Sequence, residues 1–224
     1  ALRSLLKKLD LENVKPAGFE PDVEVDENIS SVSKEVEAVL KAGIPVKYEV
    51  PSDISFDSLN CGIDFVDIPS GPKVMLLDWA GKCAYVITPE EFDSLTSSKT
   101  VFPVSFGYKD RSKIISVPLK AVESVFDIEI AGYVLNILSG KSDLQRLYES
   151  VMLSAYPVED KWGPAKQLSL FDEVVEDDGS SKVEECADKL LVITAIAQVL
   201  SSDIEKDNDI KNLLYEIEFP LVIT

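Results

Sequence analysis

The chain has 224 residues, of which 46% are hydrophobic, and this is enough to bury the core of one large domain or two small ones. It contains no histidine, which excludes Ser-His-Asp and Cys-His triads, histidine-ligated zinc and histidine general bases. Its formal net charge of −18 argues against nucleic-acid binding by the chain alone, because affinity for phosphate backbones comes from lysine and arginine.

The cysteine content and the hydropathy are those of a cytoplasmic globular protein. Cys61, Cys83 and Cys186 are widely spaced and form no CxxC pair, so we expect them to be small buried side chains in a reducing compartment. The longest apolar run, LLVITAIAQVL at 190–200, is too short to cross a bilayer, and no signal peptide is recognisable at the start.

The first 28 residues are predicted to form a connecting segment. In LRSLLKKLDL at 2–11, leucines recur on one face and the lysines lie off it, which is typical of a short amphipathic helix. Residues 12–28 contain two prolines, a glycine and many acidic residues, and are therefore predicted to be a linker.

The next part of the chain has the patterns of a sheet with hairpins. We predict a helix over residues 30–43, with a serine cap and Gly43 as its stop. TPEEF at 88–92 predicts the start of a second helix, with Thr88 as its cap and a proline in its first turn. Strands are predicted at 44–50, at 61–68, at 100–106 and in a hairpin at 73–88 that turns around Trp79-Ala80-Gly81-Lys82.

The second half of the chain is predicted to be mostly helical, which makes the whole an α/β fold with a mixed sheet. Helices are predicted at 124–140, at 142–153 with Ser142 as cap, and at 181–204, where Glu184 and Glu185 favour the helix start; a loop that contains the acidic run DEVVEDD at 172–178 is predicted at 156–180.

The last segment, NLLYEIEFPLVIT at 212–224, has apolar residues close to helical spacing. No later residue in the chain can cover those side chains. The segment therefore either folds back onto its own domain or belongs to something larger; its apolar residues are Leu213, Leu214, Ile217, Leu221 and Val222.

Four segments occur in an order that resembles the 3′→5′ exonuclease domain of bacterial DNA polymerase I. They are FDIEIAGYVLN at 126–136, DLQRLYE at 143–149, the long helix, and LLYEIEFPLV at 213–222. The opening LRSLLKKLDL is similar to the segment that joins the 5′-nuclease region to the rest of such polymerases.

The resemblance implies a fold and a division of the chain. Residues 29–210 would form a ribonuclease H-like mixed sheet with flanking helices, as in DnaQ-like exonucleases. Residues 1–28 would be the connecting helix and linker, and residues 211–224 would begin the polymerase domain.

Exonucleases of this family hold two divalent metals with four carboxylates, which activate a water and stabilise the leaving oxygen. Two of these carboxylates form a D-x-E pair on the first strand. If that strand is 44–50, the pair falls near Val50 and Ser52; if it is 61–68, the triplet is Asp64-Phe65-Val66. Neither placement gives D-x-E.

The other two ligand positions are also altered. The family's middle aspartate corresponds to Asp110, but Phe106 replaces the asparagine four residues before it. The aspartate of the last helix corresponds to Lys189, with Glu185 at the position of the family's tyrosine. A single carboxylate holds Mg²⁺ only weakly, so we assign no catalytic, cofactor-binding or metal-binding residue and expect Asp110 to be a surface residue with residual metal binding at most.

The resemblance thus implies a degenerate, inactive proofreading domain that supports the polymerase domain of the same chain mechanically. The parent would be a DNA-directed DNA polymerase of bacterial replication and repair, in the nucleoid-containing cytoplasm. It would contact DNA only as the full-length enzyme and hold Mg²⁺ in its polymerase domain. The fragment itself would be a monomer with no cofactor and no membrane contact.

Two other functions stay open at this point. One is an active metal-dependent exonuclease whose ligands are Asp64, Asp67, Asp110 and Asp188, gathered around two metals. The other is an acidic protein-interaction module whose exposed ends recruit a partner helix.

Aromatic and basic residues in two places allow either a packing role or a nucleic-acid role. Trp79 and Trp162 are expected to pack in loops, although base stacking is the alternative. The group Tyr108, Lys109 and Arg111 is expected to be a solvated turn, the alternative being a residual contact to a DNA strand.

Overall fold

The computed structural model describes residues 27–51, 59–97, 101–115, 118–138, 140, 143–158 and 179–223. The predictions for residues 2–11, for the linker up to residue 26, for Trp162 and for the acidic run at 172–178 lie outside these ranges. The helices are α1 (Glu27–Ala42), α2 (Pro89–Leu95), α3 (Tyr108–Arg111), α4 (Ile128–Val134), α5 (Leu144–Met152), α6 (Ser180–Ile204), α7 (Asn208–Asn212) and α8 (Phe219–Leu221), with a 3-10 turn at Ser112–Ile114 and a π-helical segment at Leu213–Glu218.

Within the described residues, six strands form one mixed sheet with flanking helices, so the chain has an α/β fold as predicted. The spatial order is β1-β4-β3-β2-β5-β6, in which β3 pairs antiparallel with both β2 and β4, and the other neighbours are parallel. The strands are β1 (Val46–Lys47), β2 (Cys61–Ile68), β3 (Gly71–Asp78), β4 (Cys83–Ile87), β5 (Val104–Ser105) and β6 (Phe126–Asp127).

Each face of the sheet is covered by a hydrophobic core. Because side chains alternate along a strand, Val66 of β2 enters the first of these cores, and Ile63 and Phe65 enter the second. The first core contains α1, α4, α5 and α6, and the second contains Phe92 of α2 and Tyr108 of α3. The central strands are therefore apolar on both sides, which explains their nearly continuous apolar sequence.

Helix α6 lies at the centre of the first core and is buried around most of its circumference from Cys186 to Leu200. It packs closely on β2 at Gly62, where a Cβ atom would come within 2.6 Å of Thr194 Oγ1 and 3.2 Å of Leu190 Cδ2. The absence of a side chain at residue 62 thus sets the spacing between strand and helix.

Several predicted elements are confirmed. The β3–β4 hairpin turns at the predicted residues, and Lys82 lies over the half-buried Trp79 ring, 3.2 Å from its centroid. Thr88 and Glu91 form the capping box of α2, and Gly43 ends α1 with a φ of +83°. The three cysteines are buried and free.

Other predicted boundaries were wrong because tertiary contacts override local pattern. Helix α1 begins at Glu27, so the expected linker border after residue 28 falls inside a helix. The predicted helix at 124–140 begins with strand β6, because Phe126 and Asp127 pair with Val104 and Ser105. The strands predicted at 44–50 and 100–106 shorten to two residues each, and Asp143 instead of Ser142 caps α5 by accepting a hydrogen bond from Gln145 N.

The C-terminal segment folds back onto the domain and leaves one side exposed. Leu214, Phe219 and Val222 are buried. Its Tyr215 and Phe219 rings join those of Phe102 and Phe126, with centroids 4.9 to 6.1 Å apart. Among the described residues, no helix combines the length and the apolar character needed to cross a membrane.

Candidate functional site

A pocket of about 200 Å³ lies between β2, α3 and the first turns of α6. We call it the Asp64 pocket. It brings together Asp64, from the second predicted placement of the D-x-E pair, with Glu185 and Lys189, the two predicted positions on the last helix. The lining residues used below are Asp64, Asp67, Arg111, Lys182, Glu185, Cys186 and Lys189. Val50, the other placement, lines a separate open groove at residues 47–51, beyond the two-residue strand β1.

Asp64 is buried on β2, and its side chain is only 7% exposed. Arg111 binds both of its carboxylate oxygens, with Nε 2.7 Å from Oδ1 and Nη2 2.8 Å from Oδ2. Arg111 Nη2 also donates to the Phe65 carbonyl at 2.8 Å. This bidentate contact is the strongest geometry available to a carboxylate and a guanidinium. The hydrogen bond to Asp64 raises the pKa of the Arg111 guanidinium above its usual value.

A buried turn places Arg111 against Asp64. Gly107, with a φ of +64°, is the N-cap residue of helix α3, and Asp127 accepts hydrogen bonds from the backbone N–H groups of Gly107 at 3.1 Å and Tyr108 at 2.9 Å. The Tyr108 ring packs edge-on against Phe65 with the ring centroids 5.5 Å apart. The local structure therefore fixes the start of α3, and Arg111 follows one helical turn later.

The Asp127 carboxyl that holds this turn is itself 2% exposed. Burial raises its pKa to about 6, although three backbone N–H donors, including Glu129 N at 3.0 Å, oppose the shift. Burial likewise raises the pKa of Tyr108 to about 12. Neither group is aimed at the Asp64 pocket, so both act as structural supports for it.

Helix α6 contributes two lysines to the Asp64 pocket. Lys189 forms an ion pair with Glu185 one turn before it, and Lys182 Nζ lies 3.4 Å from the Asp67 carbonyl. With Arg111, three cationic side chains line the pocket. Lys189 is therefore a cation at the position where the resemblance requires a metal-binding aspartate.

Cys186 closes the buried side of the pocket. Its Sγ donates to Asp64 Oδ2 at 3.4 Å, and the side chain is almost fully buried. Burial and the nearby Asp64 carboxylate raise the pKa of Cys186 well above its usual value, so the thiol stays protonated and acts as a hydrogen-bond donor.

Asp110 lies outside the Asp64 pocket, as expected for a surface residue. Its side chain is 85% exposed and forms an ion pair with Lys113, which lowers the pKa of Asp110 through a hydrogen bond. It borders a different groove, together with Asp127, Glu129 and Glu218.

The four carboxylates of an active exonuclease do not converge. Asp64 and Asp67 line the Asp64 pocket, whereas Asp110 and Asp188 do not. Across the described ranges of the chain, no group of three or more Asp, Glu, Cys or His side chains is arranged to hold a metal ion. The donor set at the Asp64 pocket therefore does not fit a pair of divalent metals, because its one buried carboxylate is already bound by Arg111.

No protein-family model matches this chain, and no curated protein is significantly similar to it. The assignment of a function therefore depends on the order of the sequence segments and on the geometry of the Asp64 pocket.

Sequence reasoning identified Arg111 only as part of a basic and aromatic group and did not connect it to Asp64. The two residues are 47 positions apart, and their pairing depends on how α3 packs on β2. One signal was available: an aspartate in the middle of the apolar strand 61–68, as Asp64 is, needs a cationic or hydrogen-bonding partner somewhere in the chain.

Proposed function

We propose that this chain is the catalytically inert exonuclease-like domain of a bacterial DNA polymerase I, and that it supports the polymerase domain mechanically. The order of the sequence segments supports this proposal. The strand order is compatible with a ribonuclease H-like sheet, because β3 is the antiparallel strand next to the long central strand β2.

The observation that carries the proposal is the pairing of Arg111 with Asp64. A metal ion at this carboxylate would have to displace a guanidinium that makes two hydrogen bonds to it. It would then face the positive charge of Lys189, and Mg²⁺ gives up its water ligands only to several well-placed oxygens. Arg111 thus takes the role of counter-ion to Asp64 that a metal has in active members of the family.

In this proposal the chemistry belongs to the polymerase domain of the parent chain, which would hold Mg²⁺ there. The domain described here would contact that polymerase domain in the same chain and meet DNA only as part of the whole enzyme, in the bacterial cytoplasm. Its net charge of −18 agrees with this division, because an isolated domain of this charge repels DNA phosphates.

The test is a nuclease assay on the purified chain with single-stranded DNA and Mn²⁺. We expect no release of nucleotides from the wild-type chain and no difference in the Asp64→Ala and Asp110→Ala variants. Release that is abolished by either substitution would show that these carboxylates hold a catalytic metal, and would refute the proposal.

A further inference from the structure

The C-terminal segment presents an exposed apolar surface, which we call the C-terminal face. It consists of Leu213, Ile217 and Leu221, whose exposed fractions are 38%, 50% and 54%. Their four-residue spacing places them along one side of the segment, while Leu214 and Phe219 are buried in the domain. The segment is therefore anchored on one side and apolar towards solvent on the other.

A groove of about 230 Å³ continues the C-terminal face. Its apolar wall is formed by Ile130, Leu221 and Val222, and Lys109 is the one cationic side chain that lines it. Four carboxylates surround the wall, those of Asp110, Asp127, Glu129 and Glu218. The groove is large enough for a leucine side chain, and acidic side chains surround it.

The chain around this face is acidic as well. Residues 203–223 contain six acidic and two basic residues, and both basic side chains form ion pairs, Lys206 with Asp203 and Lys211 with Glu205. An apolar surface with acidic borders favours an occupant whose apolar side is flanked by basic residues.

We propose that residues 2–11 of the same chain bind the C-terminal face. Leucines at 2, 5, 6 and 9 recur on one helical face, and Arg3, Lys7 and Lys8 make this segment basic, with Asp10 as its single acid. The leucines cover the apolar side chains, and Arg3 and Lys8, which flank the leucine face on either side, reach Glu216 and Glu218.

The reach of the chain allows this contact. The fifteen residues between position 11 and the first residue of α1 span up to about 50 Å when extended. A compact domain of this length has a radius of gyration of about 17 Å, so its diameter is no larger than that span. The connection also keeps the effective concentration of the segment high.

A second copy of the chain is a poorer occupant of the same face. Two C-terminal faces brought together would place the carboxylates of Glu216 and Glu218 against their own copies, and like charges at an interface are unfavourable. This inference does not depend on the proposed function, because it uses only the surface of the C-terminal segment and the charge pattern of residues 2–11.

The test is a distance measurement between spin labels at Ser4→Cys and Asn212→Cys in the full chain. The labels attach selectively because the three native cysteines are buried. Ser4 lies on the side of the helical pattern opposite the leucines, and Asn212 is exposed beside Leu213. We expect a narrow distribution at roughly 15–25 Å, the sum of a helix packing distance and one helix diameter.

Two pairs of substitutions separate specific binding from general effects. Arg3→Glu with Lys8→Glu is expected to broaden and lengthen the distribution, and so is Leu5→Asp with Leu6→Asp. The matched control, Lys34→Glu with Lys41→Glu on the exposed side of α1, changes the net charge equally and is expected to leave it unchanged.

A broad distribution in the chain without these substitutions would overturn the proposal. A narrow distribution that disappears on dilution with unlabelled chain would also overturn it, because the occupant would then be a second copy.

Discussion

The ion pair between Asp64 and Arg111 determines whether the Asp64 pocket can bind a cation. A buried carboxylate needs a partner of opposite charge, because an unpaired charge in the interior is costly. Here the partner is a side chain held by the fold, with three hydrogen bonds to Asp64 and Phe65. The fold therefore satisfies the charge of Asp64 without a bound cation.

Loss of Arg111 is expected to destabilise the fold. Arg111→Met leaves Asp64 with the Phe65 N–H and the Cys186 thiol as partners, so we expect urea denaturation to show a free energy of unfolding lower by about 2 kcal/mol. For a chain of this length that corresponds to a decrease in Tm of about 4–8 °C. The estimate lies below the range for fully buried pairs because the Arg111 side chain is 44% exposed.

The matched control is Arg146→Met, which removes an exposed arginine 3.6 Å from Asp143. It should change the free energy of unfolding by less than about 0.5 kcal/mol. The double variant Asp64→Asn with Arg111→Met should recover part of the loss, because it removes the unpaired charge. Equal effects of the two single arginine variants would contradict a structural role for Arg111.

Asp127 gives the stability a dependence on pH of defined sign. Its pKa is raised by burial from 3.8 to about 6 in the folded chain, so the native state holds this proton more tightly than the unfolded state does. The stabilisation that the protonated Asp127 gives to the folded state is fully present below pH 4 and is lost as the pH rises through 6. The change amounts to at most about 3 kcal/mol.

The measurement is the free energy of unfolding at pH values from 4 to 7 for the wild-type chain and Asp127→Asn. The difference between the two should change across that window, because the variant lacks the titrating group. Parallel curves for Asp127→Asn would show that its carboxyl has no raised pKa.

At the scale of elements, predictions succeeded where the structure follows local pattern. Local sequence is enough to predict the β3–β4 hairpin from its turn residues, the start of α2 from the Thr88 cap, and helix α6 from its apolar periodicity. Strand β6 was missed because the pairing of Phe126 with Val104 is a long-range contact, and the same residues fit a helical pattern. Helix α1 was placed too late because Glu27 and Asn28 have linker-like composition.

The contact between β2 and α6 is set by Gly62, and a larger residue there should separate them. Gly62→Ala brings a methyl group within 2.6 Å of Thr194 Oγ1, so we expect a loss of about 1–3 kcal/mol in the free energy of unfolding. In a Thr194→Ala background the same substitution should cost less, since one of the two close contacts is removed.

Gly81→Ala is the control for this experiment. Gly81 lies in the exposed hairpin turn, where a new methyl group meets only the end of the Asp78 side chain, which can move away. Its effect should stay below about 0.5 kcal/mol. An unchanged cost of Gly62→Ala in the Thr194→Ala background would contradict the proposed steric cause.

For the whole molecule, the sequence predicted an α/β sheet and a site without its metal ligands, but not what replaces them. The resemblance places Lys189 where the family has an aspartate, and neither placement of the first motif, near Val50 and Ser52 or at Asp64-Phe65-Val66, gives its D-x-E pair. The pairing of Arg111 with Asp64 is visible only in three dimensions, because the guanidinium comes from a short helix that Asp127 and Gly107 hold against β2.

The most direct test of the proposal that positive side chains stand where active exonucleases hold their metals is a crystal of this chain grown or soaked in Mn²⁺. Anomalous scattering locates manganese independently of its ligands. We expect no anomalous peak within the Asp64 pocket and an Arg111 guanidinium still bound to both oxygens of Asp64. Two peaks about 4 Å apart beside Asp64, with Arg111 displaced, would contradict the account.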